Sequence, residues 1–172
     1  VSDILYLTPE GAPHIFRPPS DALTGNDTLP DRRGYNFDGV SPVTFISDAS
    51  VKYQKIVFPG GASYKILVLP LVETMTPELL RKIESLVDQG AMVVGNPPIQ
   101  SPSLVNYPRC DSVVNELAGT IWGSHETPSE ITGKEYGQGK IFWGGDLTKD
   151  PGDELYPSYE STADLLGKMG LS

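Results

Sequence analysis

The run Tyr64-Lys65-Ile66-Leu67-Val68-Leu69-Pro70, then Thr76-Pro77-Glu78-Leu79-Leu80-Arg81-Lys82-Ile83-Glu84-Ser85-Leu86-Val87-Asp88-Gln89-Gly90, then Ala91-Met92-Val93-Val94-Gly95, decides the fold. Its first piece is almost continuously apolar, as suits a strand covered on both faces. In the second, Thr76 can cap a helix, Pro77 sits where its missing N–H costs nothing, and Glu78 puts negative charge in the first turn. Leu79, Leu80, Ile83, Leu86 and Val87 recur at helical spacing, while Arg81, Lys82, Glu84, Ser85 and Asp88 take the other face. Gly90 predicts a left-handed cap and the third piece a second buried strand. Strand, helix and strand joined by short links imply a right-handed crossover in a parallel sheet.

Towards the N-terminus, Val51-Lys52-Tyr53 and Lys55-Ile56-Val57-Phe58 read as a small strand pair, with Pro59-Gly60-Gly61 as turn chemistry. Tyr35 to Ser47 is mixed, with Pro42 expected to interrupt any helix, so that a short helix at most is read there. Residues 9–34 hold five prolines and three glycines without a sustained period, a long irregular loop of the kind that usually serves a site or an interface. Asp3-Ile4-Leu5-Tyr6-Leu7-Thr8, a short apolar run that stops at Pro9, reads as the first strand.

Towards the C-terminus, Val113, Val114, Leu117, Ala118 and Ile121 predict a helix ended by Gly123. Glu135 to Tyr136 and Lys140 to Trp143 flank Gly137-Gln138-Gly139 as a hairpin. Tyr159, Ala163, Leu166 and Met169 suggest a final helix begun near Ser158. Residues 1–172 are thus read as a single three-layer α/β domain with a mostly parallel sheet of about five strands.

Composition narrows the function classes. The chain has 172 residues, 13 Lys plus Arg against 22 Asp plus Glu, and a net charge of −9. Leu, Ile, Val and Phe make up about a quarter of it, above the roughly 20% below which disorder is expected. The acidic balance and the lack of a basic cluster argue against nucleic acid as a partner. No apolar stretch approaches the roughly 20 residues needed to cross a bilayer. The lone Cys110 cannot form an internal bridge and reads as an inert thiol. His14 and His125 stand far apart without a second ligand at metal spacing, so neither a metal nor another cofactor is expected.

Ligands of open parallel sheets collect beyond the carboxyl ends of the strands. Glu10, His14, Glu73, Asn96 and Asp146 fall at or near those ends and are the ligand-binding candidates. Turn and cap roles come first for Asn96 and Asp146, because such residues dominate turns for local reasons. Gly61-Ala62-Ser63-Tyr64-Lys65 fails the acylating-serine pattern. Gly137-Gln138-Gly139-Lys140-Ile141 fails both phosphate-loop patterns. Glycoside hydrolysis needs two carboxyl groups across a sugar, and with 22 acidic residues no pair, Glu10 with Asp146 included, stands out.

Phe58 to Pro70, Met75 to Ile83 and Gly90 to Gly95, with Ser101-Pro102-Ser103-Leu104, Tyr107-Pro108, Asp111, Leu117 and Gly137-Gln138-Gly139-Lys140-Ile141, resemble a domain of bacterial α-L-rhamnosidase-type glycoside hydrolases. Gly34-Tyr35-Asn36-Phe37-Asp38 resembles the family's segment ahead of this core, so the likeness covers about residues 34–170. The resemblance implies a flavodoxin-like or class I glutamine amidotransferase-like fold, similar to the trimerisation domain of some bacterial β-galactosidases. It also implies an accessory role, because the family's sugar-cleaving carboxylates lie on a separate (β/α) barrel. No catalytic residue carries over. Asn96 stands where an amidotransferase would need cysteine, so glutaminase activity is not expected.

The implied partner is the catalytic domain of the same parent chain, with a homo-oligomer or a glycan as further partners and an exported, periplasmic or secreted parent. An opening directly on a core strand and a close on a helix suit a domain excised from a larger multidomain protein. Phe16, Tyr35 and Phe37 are the interface candidates, with coverage of the domain's own core as their competing role. Two other readings stay open: a self-contained carbohydrate or small-ligand binding module, and a small hydrolase with paired carboxylates.

Overall fold

The computed structural model describes residues 3–10, 16–19, 36–102, 107–152 and 154–168. In chain order the elements are β1 (Ile4–Leu7), β2 (Phe37–Val40), α1 (Pro42–Asp48), β3 (Ser50–Lys52), β4 (Lys55–Val57), β5 (Ser63–Tyr64) and β6 (Ile66–Val68). Then come α2 (Pro77–Gln89), β7 (Met92–Val94), α3 (Arg109–Trp122), β8 (Thr132–Tyr136), β9 (Gly139–Trp143), a 3-10 turn (Gly145–Thr148) and α4 (Tyr159–Lys168).

Six strands form the main sheet in the order β2-β1-β6-β7-β9-β8. The first five are parallel, and β8 closes one edge as an antiparallel hairpin arm of β9. The register sets Ile4 beside both Phe37 and Ile66, and Val93 between Leu67 and Ile141. Because side chains alternate along a strand, each strand feeds two cores. Leu5, Leu7, Leu67, Val93, Ile141 and Trp143 pack with α1, α2 and α3 on one face. Ile4, Tyr6, Ile66, Val68, Val94 and Phe142 pack with Leu147, Tyr156 and α4 on the other.

The α2 helix follows its sequence closely. The Thr76 hydroxyl accepts from the Leu79 N–H at 3.3 Å, and Leu79, Leu80, Ile83, Leu86 and Val87 are all buried. Burial of such side chains stabilises by about 1.5–3 kcal/mol each, which outweighs any intrinsic helix propensity. The second crossover helix begins at Arg109 and ends at Gly123 in the left-handed conformation.

Three local expectations are corrected. Pro42 does not interrupt a helix but opens α1, with Ser41 accepting from the Thr44 N–H at 3.3 Å, since proline is compatible with a first helical turn. The run Tyr64 to Pro70 is not one strand. Tyr64 pairs with Ile56 in a separate antiparallel sheet ordered β3-β4-β5, and the parallel strand starts at Ile66. The main sheet has a sixth strand, β2, whose Asp38 and Gly39 hid it from an apolar pattern. Gly39 is required by packing, because a β-carbon there would overlap the Phe16 ring. Of the loop expected over 9–34, residues 11–15 and 20–34 lie outside the described residues.

Candidate functional site

The order of the main sheet reverses at β1, from which the chain builds to β2 on one side and to β6 on the other. Such a reversal opens a crevice at the carboxyl ends of the flanking strands. Leu7, Thr8, Pro9 and Glu10 after β1, Leu69 and Pro70 after β6, and Asn96 and Pro98 after β7 line it, with Val72, Thr74 and Met75 leading into α2. Two of the sequence candidates, Glu10 and Asn96, therefore meet in one place.

Their hydrogen bonds are spent on the fold. Glu10 Oε1 accepts from the Thr76 N–H at 2.8 Å, and Glu10 Oε2 accepts from the Thr76 hydroxyl at 2.5 Å. A carboxylate at a helix N-terminus is favoured both by unpaired N–H groups and by the helix dipole. Glu10 thus fills the position at the start of α2 where folds of this kind often receive an anionic ligand. Asn96 Nδ2 donates to the Thr148 carbonyl at 3.4 Å, and its Oδ1 accepts from the Thr127 hydroxyl at 3.5 Å. These bonds tie the end of β7 to the 3-10 turn and to the loop before β8.

Glu73 and Asp146 are exposed and do not line the crevice. The Glu73 carbonyl accepts from the Ile99 N–H at 2.8 Å, so its backbone is structural. His14 and Tyr35 lie outside the described residues. The space enclosed in the crevice is about 10 Å³, room for about one water. Pockets for small ligands run to about 300–1,000 Å³. A sugar ring does not fit into it as it stands.

Phe16 and Phe37 are half-buried and take the competing role named for them, coverage of the domain's own core. Phe16 stacks within 5.7 Å of Tyr6, 6.3 Å of Phe37 and 6.0 Å of Tyr156, centroid to centroid. Phe37 also meets Tyr6 at 5.8 Å and Tyr159 at 6.2 Å. Both rings cover the core on the α4 face. Tyr156 anchors this group, its buried hydroxyl donating to the Leu7 carbonyl at 2.8 Å, and burial raises its pKa.

Sequence reasoning had Thr76 as a cap but not its Glu10 partner, since a separation of 66 positions carries no local signal. It also missed Trp122, whose indole N–H donates to the Gly95 carbonyl at 2.9 Å and fixes the end of β7. Cys110 is buried at the start of α3, 3.9 Å from Asp111 Oδ1. Among the described residues no three His, Cys, Asp or Glu side chains group to hold a metal ion, and no helix is long and apolar enough to cross a membrane.

Comparison with known proteins adds three findings. The profile of a family described as alpha-L-rhamnosidase matches residues 1–160. A protein of Formosa agariphila described as "Putative beta-glucuronidase" is 38% identical over 125 residues, which is 72% of this chain and 10% of that protein. A solved rhamnosidase structure from Novosphingobium sp. PP1Y superposes with a TM-score of 0.68 at 22% identity, over 99% of this chain and 14% of that one. The chain thus spans about a tenth of the curated relative and about a seventh of the solved enzyme.

Proposed function

The chain belongs to the alpha-L-rhamnosidase family, and from that premise we propose that it is a non-catalytic accessory domain supporting the sugar-cleaving part of a larger glycoside hydrolase. The observation that carries this reading is the engagement of Glu10. Glycosidases place two carboxyl groups about 5–9.5 Å apart on either side of a sugar. Here the strand-end carboxylate nearest the crevice has both oxygens bonded to Thr76, and the crevice admits about one water. The small share of each relative that the chain covers supports the same reading.

The sheet supports a flavodoxin-like or class I glutamine amidotransferase-like ancestry. Counted within the main sheet, β2-β1-β6-β7 follows the order 2-1-3-4, the first four places of the flavodoxin arrangement. The fifth place is taken by β9, reached through the antiparallel β8.

The test is hydrolysis of a fluorogenic aryl α-L-rhamnoside by the 172-residue chain, beside the double substitution Glu73→Gln, Asp146→Asn. These two carboxylates are exposed, so the variant keeps the fold. No turnover above buffer is expected from either protein. Turnover that the double substitution abolishes would overturn the reading and return the active site to these residues.

A further inference from the structure

Among the described residues six large apolar side chains stay exposed: Val43, Tyr53, Val72, Ile99, Tyr107 and Ile131. Five of the six fall at one end of the molecule. Val43 opens α1 just after β2, Val72 follows β6, Ile99 follows β7 and Tyr107 precedes α3. Ile131 precedes β8, which runs antiparallel and so starts beside the carboxyl end of β9, with Thr132 opposite Trp143. Only Tyr53, in the turn between β3 and β4, is at the other end.

Scattered apolar side chains need no explanation, whereas a concentration on one face marks an interaction surface. Five steps across the main sheet at about 4.8 Å each give this edge a width of about 24 Å. That is the scale of a contact between folded domains, and the crevice described above encloses too little space for a sugar. Exposed Glu73, Glu126, Glu130 and Asp146 lie along the same edge against Arg109 and Lys149. Among these exposed groups carboxylates outnumber cations four to two, and they are interspersed with the apolar side chains. Such an edge favours a partner that carries Lys or Arg beside its apolar side chains, because like charges across an interface are repelled.

We propose that the carboxyl edge of the main sheet is the face by which this domain docks onto another folded domain of its own polypeptide, one presenting basic and apolar side chains together. The proposal rests on the accessory reading above and specifies the surface that performs it. The size relation carries the choice of occupant. Nearly the whole of this chain matches about a seventh of the solved enzyme, which leaves a large folded body for the face to meet.

The test is hydroxyl-radical footprinting of the intact polypeptide that carries this domain, with Tyr53 as the internal reference. Tyr53 and Tyr107 are 86% and 62% exposed in the domain as described. The expected result is oxidation of Tyr107 at least tenfold slower than that of Tyr53. In the variant Val72→Asp, Ile131→Asp the Tyr107 rate should rise to within about twofold of the Tyr53 rate. If Tyr107 and Ile99 react freely while Tyr53 or another face is protected, the docking face is wrong and the accessory reading stands. If every exposed side chain reacts freely, both fall. Protection of Tyr107 that disappears when an oligomer is diluted to monomer assigns the face to a second copy and overturns the proposal.

Discussion

Both carboxylate oxygens of Glu10 accept from Thr76, and Thr76 in turn accepts from the Leu79 N–H. The three groups form one chain of bonds at the start of α2, so their contributions are coupled. Thr76→Ala removes the cap and leaves the carboxylate without its hydroxyl donor. Glu10→Gln keeps the shape and loses the charge at the helix N-terminus. Each is expected to destabilise by about 1–2 kcal/mol in urea denaturation, and the double variant by less than the sum of the two. Strict additivity would show that the bonds do not act together.

Three phenols are held protonated beyond their usual range, Tyr156 by burial and Tyr64 and Tyr136 also by hydrogen bonds to carboxylates. The Tyr136 hydroxyl donates to Glu84 Oε2 at 2.8 Å, and this bond, followed by burial, pushes its pKa up to about 12. Burial first, and then the 2.9 Å bond to Asp38, pushes Tyr64 up to about 12 as well. Unfolded tyrosine titrates near 10, so on raising the pH the unfolded chain loses these protons first. The associated stability is full below about pH 10 and is lost between about pH 10 and 12. A urea midpoint that falls across that window, with phenols that ionise late by ultraviolet absorbance, is the expected outcome. Ionisation of all eight tyrosines near pH 10 would contradict it.

At the scale of elements, α2 and β2 stand at opposite ends of legibility. The α2 stripe is readable because a helix buries side chains by their spacing alone. Ile83→Ala, in the middle of that stripe and fully buried, should cost about 2–5 kcal/mol by calorimetry or denaturant melting. Arg81→Ala on the exposed face should stay within about 0.5 kcal/mol.

The β2 strand is unreadable for the converse reason. It is an edge strand, its Asp38 and Gly39 are exposed, and Gly39 is selected by the Phe16 ring lying against it. Gly39→Ala should therefore destabilise by about 1–3 kcal/mol through overpacking, measured in the same melts. The β3–β4 pair is readable but its turn is not, since the sequence puts Tyr53 in the first strand and the turn lacks the usual signal. Tyr53 and Gln54 both hold positive φ, 53° and 62°, where glycine or asparagine is favoured. Gln54→Gly is expected to raise stability by up to about 1 kcal/mol.

For the whole molecule, the two faces of the main sheet are covered by helices and the carboxyl edge keeps the exposed apolar side chains. Val72 and Ile131 stabilise little within the domain, since both remain more than a third exposed. The variant Val72→Asp, Ile131→Asp should leave the melting of this chain within about 0.5 kcal/mol of the parent. A larger loss would mean that the face belongs to the domain's own core. The distinction between internal core and outward face is what the accessory reading requires, and neither residue was marked by the sequence.

The sequence by itself determined the α/β class, the parallel crossover through α2, the terminal helix and the hairpin of β8 and β9. It also carried the likeness to α-L-rhamnosidase-type proteins in the motifs from Phe58 onward. These depend on local periodicity, caps and turns, which act over a few residues. Only the tertiary structure decided that Glu10 caps a helix 66 positions away, that Phe16 and Phe37 turn into the α4 core, and that five exposed apolar side chains share one edge. The physical reason is the same in each case. Hydrogen-bond partners, ring contacts and shared faces depend on strand order and register, and those are fixed by the packing of the whole sheet against its helices.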